Sequence, residues 1–572
     1  MEKIKKLKKI LKKEKIDAYL IPKNDEFFGE YVPDHNDRLK YISNFSGSYG
    51  FSLITRNKNY LFVDGRYTLQ AYYESGKNFK VITIPNEMPS NLLKKKKLLI
   101  GFDPKLHTKK ILRKLFMNSK CELQPIKKNL IDYVWKRKVK KINNKFYDLP
   151  LNSVGERFET KINKVASLLK KRKIDYQFIT SCENNAWLLN IRGADSKYAP
   201  IPNCYILLDK NKNIKLFCEL KKIPLFFKKK FKKIKFIDIK YTSKTLFEIK
   251  NKKFLVDDNS CSFHFENLIS RYNRLLYLPD PIDKYKSIKN RVEIKNIKIA
   301  HIYDGIALTK YLFWLKRNFN KEKITELSAS RKLYKFRKKN KNFQHLSFPT
   351  ISGSGPNGAI IHYKATKKTD RKLKEGDIYL VDSGGQYKFG TTDVTRTISL
   401  NNSDKRIKNI FTRVLKGHIA VTNFKLKKNT SGSQIDNVAR KYLKKIGLDY
   451  QHGTGHGVGY FLNVHEGPQA ISKSNKISFQ EGMVVSNEPG YYEKNKFGIR
   501  IENLIYVKKI KNKKIFKCFT MAPIDKNLIN PYMLNSIEKE WINNYHNEVF
   551  NTLKGYMNKY EKVELKEACS AI

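Results

Sequence analysis

Residues 378–399 read IYLVDSGGQYKFGTTDVTRTIS. Two strand-like runs, IYLVDSGGQY and TTDVTRTIS, flank a short turn at Lys388–Gly390, and the pattern predicts a hairpin. Pairing across it brings Asp382 and Asp393 together on one face. A second pair of runs, VVSNEPGYY (484–492) and FGIRIEN (497–503), flanks a turn at Glu493–Gly498. With that turn centred on Asn495, Glu488 and Glu502 stand directly opposite each other. Acids beside turns are ordinarily solvated, but four of them inside apolar strands are another matter. A buried charge needs a partner or a metal.

Four of the eleven histidines fall into two glycine-rich segments. HGTGHGVGYFLNVHEGP (452–468) carries His452, His456 and His465, and SGSGPNGAIIHY (352–363) carries His362. His452 and His456 are spaced as in the helical zinc pair HExxH, yet glycines at 453, 455, 457 and 459 disfavour a helix, and no Glu follows the first His. A strand or loop site is expected, with one liganding His and the others facing substrate. Four carboxylates and one imidazole can neutralise two hard divalent cations and leave a bridging water able to lose a proton. Two metals roughly 3.5–4 Å apart hold both a nucleophile and a developing oxyanion. Oxygen-rich ligation with a single His favours Mn²⁺ over zinc, with cobalt or zinc able to substitute in vitro. The expected chemistry is hydrolysis.

At this point the chain resembles the Xaa-Pro aminopeptidases, specifically the long, three-domain aminopeptidase P type of the pita-bread metallopeptidases. The resemblance rests on GSGPNGAIIHY, VDSGGQY, GTTDVTRT, HGTGHGVGYFLNVHEGP, SNEPGYY and GIRIEN in that order. VDGRYTLQA (63–71), AWLLNIRG (186–193) and WINNYHNEV (541–549) extend it over nearly the whole chain. It implies that Asp393 and Glu502 bridge two metals, that Asp382 binds one, and that His456 and Glu488 bind the other. It further implies that Glu488 is the general base, and that His362 and His465 contact substrate about the scissile bond, with His452 and His456 beside them. Arg66, in DGRY, resembles a substrate-contacting arginine, and Arg500 matches a family arginine two positions before the last ligand. The implied fold is α/β and α+β: two related creatinase-type N-terminal α/β domains, then a pita-bread α+β catalytic domain whose curved antiparallel sheet holds the metals.

An internal repeat supports the doubled N-terminal half. KIKKLKKILKKEKIDAYLI (3–21) aligns without gaps to KINKVASLLKKRKIDYQFI (161–179) with ten identities in nineteen positions. Each copy reads as an amphipathic helix followed by a buried strand. The expected domains are 1–130, 155–285, a catalytic domain 288–515 opening with a helical pattern through Lys339, and a C-terminal extension 516–572. Only the first copy has DGRY, so the second reads as a spacer or assembly element.

With 572 residues the chain is too long for one core. Its formal net charge of +63 is mostly lysine, spread along the chain and accompanied by abundant Asn, Ile, Tyr and Phe. That distribution reads as compositional bias rather than a nucleic-acid site, because no readout module accompanies it. Seven cysteines without a CxxC pair fit reduced thiols in a cytoplasm. No secretory signal and no apolar run of roughly 18 residues is present, so no membrane partner is expected. The partners expected are proline-containing peptides and, by resemblance, a second copy of the chain in a homodimer. Two other functions fit the same residues: a prolidase restricted to Xaa-Pro dipeptides, and a non-catalytic binding module on the same fold.

Overall fold

The computed structural model describes residues 2–137, 144–401 and 404–572. The chain divides into two compact units, one of residues Met1–Leu151 and Glu156–Asp283, the other of Asn152–Gly155 and Lys284–Ile572.

The first unit contains the repeat as two six-stranded sheets of identical plan. In the first copy the helix Glu2–Lys13 buries Ile4, Leu7 and Leu11, a spacing that puts them on one helix face, and leads into the strand Ala18–Pro22. In the second, Phe158–Lys171 leads into Tyr176–Ile179. Ala18–Pro22 pairs antiparallel with Phe51–Thr55 and parallel with Leu99–Phe102. Tyr176–Ile179 pairs antiparallel with Tyr205–Asp209 and parallel with Lys253–Val256. The remaining strands follow in matching order in both sheets. The alignment of 3–21 with 161–179 therefore marks a duplicated domain.

The second unit carries the acidic hairpins. Its expected helical stretch through Lys339 is two helices, Arg291–Asn318 and Glu326–Lys338. Asn290 with Glu293 and Thr325 with Ser328 form reciprocal caps that start them, satisfying backbone N–H groups that a helix start leaves bare. Leu308, Tyr311, Leu312 and Leu315 of the first helix pack with Leu333 of the second on Tyr379 and Val381, whose strand leads to Asp382. Asn152–Gly155 joins this unit: Asn290 Nδ2 donates to Val154 O at 2.8 Å, and Tyr460 OH to Ser153 O at 2.5 Å. At the far end, Ser536–Leu553 buries Ile542, Tyr545, Val549 and Leu553, and shares a core with Phe411 and Leu415 of the helix Lys405–Thr422.

Candidate metal centre

Both hairpins form, and each ladder is interrupted, the first at Gly384 and Asp393 and the second at Glu488 and Glu502. Ile378–Ser383 pairs antiparallel with Val394–Ser399, setting Asp382 against Thr395. The pairing resumes as Gly385–Tyr387 with Gly390–Thr391 in a different sheet, beside Phe343–Leu346. The two continuous strands read from sequence are thus interrupted at Gly384 and Asp393. Gly384 is required there, since a Cβ would stand 2.0 Å from Thr392 O. Asp393 lies two residues before the partner of Asp382, a diagonal neighbour on the same face. The second hairpin runs from Val484↔Tyr506 to Asn487↔Asn503 and resumes at Gly490↔Arg500 through Glu493↔Phe497. Asn495, with φ of 62°, forms the turn, and this register sets Glu488 opposite Glu502 between the two ladders. Glu502 N donates to Thr395 O at 3.2 Å and joins the two hairpins.

His456 belongs to the short strand Gly455–Gly457, which pairs with Glu466–Ile471 and Val484–Asn487. The closeness of these strands demands the glycine beside it: a Cβ at Gly455 would lie 1.9 Å from Ser486 O. The Nδ1 of His456 is 2.8 Å from Gly457 O, which can only accept, so Nδ1 bears the hydrogen and Nε2 faces the acids. Nε2 is 3.4 Å from Asp393 Oδ2 and 3.6 Å from Glu488 Oε1. Asp393, His456 and Glu502 each present one ligand atom, and these three atoms lie within 4.8 Å of one another.

The acids repel each other in a buried site, and their proton affinities record it. Burial pushes Asp382 up to about 7, with Asp393 and Glu488 adding to the rise and Arg500 opposing it. Burial, then Asp393, Asp382 and Glu488, hold Glu502 well above the carboxylate range, and burial raises Glu488 as well. Burial works against a charge on His456, but Asp393 and Glu488 outweigh it and raise the imidazole to about 9. Asp382 makes the case most directly: Arg500 Nη2 holds its Oδ2 at 2.6 Å, while its buried Oδ1 has no hydrogen-bond partner among the described residues. Hard oxygen donors, one imidazole Nε2 and an orphaned carboxylate oxygen fit a pair of divalent cations.

Around this set lie residues that sequence reading missed. Thr395 Oγ1 donates to Glu502 Oε2 at 2.8 Å and accepts from Arg500 Nε at 3.1 Å. Arg500 Nη1 donates to Tyr492 OH at 2.6 Å, and Tyr492 OH is 2.9 Å from His452 Nε2. Two signals were available: Thr395 is two residues from Asp393 on one face, and Tyr492 lies four residues after Glu488 in EPGYY, just before the Asn495 turn. Lys289 and Glu466 form an ion pair with both side chains fully buried, directly beside His465.

The other expected site residues are distributed as follows. The rings of His456 and His465 meet edge-on with centroids 4.3 Å apart. His452 Nδ1 lies 3.9 Å from Glu488 Oε2, behind the acids and against Tyr492. His362 is half-buried in the turn after the 3-10 helix Gly355–Ala359. Arg66 belongs to the other unit, where its guanidinium forks onto Asp64 at 3.0 and 2.6 Å.

Comparison with known proteins gives a consistent picture. Residues 295–509 match metallopeptidase family M24, and 515–572 match its C-terminal region. Residues 3–132 and 137–293 each match the creatinase/prolidase N-terminal domain. The chain is 37% identical to a probable Xaa-Pro aminopeptidase P of Laccaria bicolor, over 96% of this chain and 90% of that one. It is 38% identical to Xaa-Pro aminopeptidase 1 of Dictyostelium discoideum, over 96% and 92%. The structure of an X-prolyl aminopeptidase from Caenorhabditis elegans, a cytosolic enzyme with a di-nuclear active site, superposes with a TM-score of 0.94. That match covers 100% of this chain and 99% of the other at 29% identity.

Proposed function

The chain belongs to the Xaa-Pro aminopeptidases of metallopeptidase family M24, and from that premise we propose how its acidic cluster works. It is a metal-dependent hydrolase that releases the N-terminal residue from peptides with proline in second position. The prolidase alternative is disfavoured because the match to Xaa-Pro aminopeptidases spans both N-terminal domains, the catalytic domain and the C-terminal region. The observation that carries the site assignment is the gathering of ligand atoms of Asp393, His456 and Glu502 within 4.8 Å of one another, together with an Asp382 Oδ1 that is buried and unpartnered among the described residues.

In this assignment Asp393 and Glu502 would be shared by two divalent cations, Asp382 would serve one, and His456 with Glu488 would serve the other. Manganese suits the oxygen-rich set best. When bound, the metals acidify a water and stabilise the oxyanion formed at the scissile carbonyl. The chain's own residues do the rest. Glu488, whose burial raises its proton affinity, takes the proton of the attacking water at a carboxylate oxygen. It then delivers that proton to the departing proline nitrogen, which in the peptide bond has no hydrogen of its own. His465, its ring against His456, and His362 hold the substrate about the carbonyl. Arg500 keeps Asp382 in place, and Thr395 fixes one oxygen of Glu502. The enzyme acts in the cytoplasm as a homodimer; the cytosolic Caenorhabditis elegans relative supports the first, and family resemblance the second. Among the described residues no helix is long and apolar enough to cross a membrane.

Mass analysis of products from two peptides differing only at the second residue tests the substrate class. Release of the first residue from Xaa-Pro-Xaa-Xaa but not from Xaa-Ala-Xaa-Xaa supports it. Cleavage after the proline, or equal cleavage of both, contradicts it.

A further inference from the structure

The register that sets Glu488 against Glu502 also sets Asn487 against Asn503, one step away. Both asparagines are held by hydrogen bonds from elsewhere in the unit. Asn503 Oδ1 accepts from Arg396 Nη2 at 2.8 Å, and Asn487 Nδ2 donates to His418 O at 2.9 Å. Each grip leads to the helix Ser536–Leu553, in the region matched as the M24 C-terminal region.

Arg396 is almost completely buried, and its acceptors are all uncharged. Nη1 donates to Glu502 O at 2.7 Å and Thr395 O at 2.9 Å, while Nε donates to Pro523 O at 3.0 Å. Nη2 also reaches Ala522 O and Tyr545 OH, both at 2.8 Å. The Tyr545 hydroxyl passes its own hydrogen to Ala522 O at 2.7 Å, so it must accept from Arg396. A planar guanidinium so saturated has one orientation, and that orientation holds the main chain at Glu502. On the other side, Trp541 stands one helical turn before Tyr545 and stacks on it, centroids 5.4 Å apart and planes 8° apart. Trp541 meets the His418 ring edge-on at 5.7 Å, and the main-chain carbonyl of that residue holds Asn487.

We propose that the C-terminal helix positions the metal centre, with Tyr545 and Trp541 as its positioning residues. Tyr545 acts through Arg396 on Glu502, and Trp541 acts through His418 and Asn487 on Glu488. Each of the two opposed acids is anchored beside its carboxylate, Glu488 through its neighbour Asn487 and Glu502 through its own main chain. The inference rests on reading the cluster as a dinuclear centre.

Calorimetric titration of Mn²⁺ into chelator-stripped full-length protein tests it, run below the lowest Tm of the set. Tyr545→Phe removes a single oxygen, and Trp541→Leu removes the stacked indole. Val549→Ala, buried on the same helix but in neither chain of contacts, controls for stability. The expected result is Mn²⁺ binding roughly 10–100-fold weaker in Tyr545→Phe and Trp541→Leu, the range usual for groups that orient ligands. Excess Mn²⁺ should restore most of kcat, and Val549→Ala should lower Tm yet bind Mn²⁺ as wild type does. Wild-type affinity in both aromatic variants, or equal weakening in Val549→Ala, overturns the inference. A wild-type protein that binds no Mn²⁺ overturns the dinuclear reading as well, so the two failures are distinguishable.

Discussion

Arg500 holds one oxygen of Asp382 at 2.6 Å, and among the described residues the other is buried and unpartnered. Half of the carboxylate is fixed and half is offered. The same guanidinium ties Thr395 and Tyr492, so it orders the wall of the site while contributing no metal donor of its own. Lysine has the charge but not the fork. Arg500→Lys is therefore expected to weaken metal binding roughly 10–100-fold. Metal content after dialysis against graded chelator checks this; unchanged retention would make Arg500 a bystander.

Acidity supplies a second test. Asp382, Glu488, Glu502 and His456 all have raised proton affinities in the metal-free protein. A group whose folded pKa is raised stabilises the fold at low pH and loses that contribution as pH climbs through the folded value, here about 7 for Asp382. Cations must displace these protons. Net proton release on Mn²⁺ binding is expected, with affinity rising between pH 6 and 8. Calorimetry in buffers of different ionisation enthalpy reads it, and pH-independent binding without proton release would refute it.

The hairpin about Asn495 was legible in the sequence because its turn, its alternation and its acids agree on one register. The break at Gly384 was not, because it depends on two further strands, Phe343–Leu346 and Ile351–Ser354, that claim different halves of the hairpin. Arg396 was illegible for another reason. Most of its acceptors are main-chain carbonyls at Thr395, Glu502, Ala522 and Pro523, and a carbonyl has no sequence signature. The duplicated domain could be read from nineteen residues because helix, turn and strand are all local.

Lys289 and Glu466 are buried together with no exposure of either side chain. Lys289→Met removes the ammonium that faces this buried carboxylate and is expected to destabilise the second unit by about 3–5 kcal/mol, the usual cost of breaking a buried pair from one side. Lys289→Met with Glu466→Leu should recover most of that loss. Denaturant unfolding of the three proteins decides it; equal stability of the single variant and wild type would remove the pair from the account.

His465 lies beside His456, and the proposed assignment gives it no metal. His465→Ala is expected to keep both metals and to lower kcat by roughly 10²-fold, as when a group stabilising the transition state is lost. Steady-state kinetics with metal analysis separates the cases. A change confined to KM would make His465 a simple binding contact, and loss of metal would make it a ligand.

The most direct test is a single comparison on chelator-stripped protein reloaded with Mn²⁺. A Xaa-Pro-Xaa tripeptide and the corresponding Xaa-Pro dipeptide are offered to wild type and to Asp393→Ala. The expected result is metal-dependent release of the first residue from the tripeptide, much slower turnover of the dipeptide, and neither activity nor bound metal in Asp393→Ala. Turnover of the dipeptide alone would make the enzyme a prolidase. Full activity in the stripped protein or in Asp393→Ala would contradict the metal centre itself.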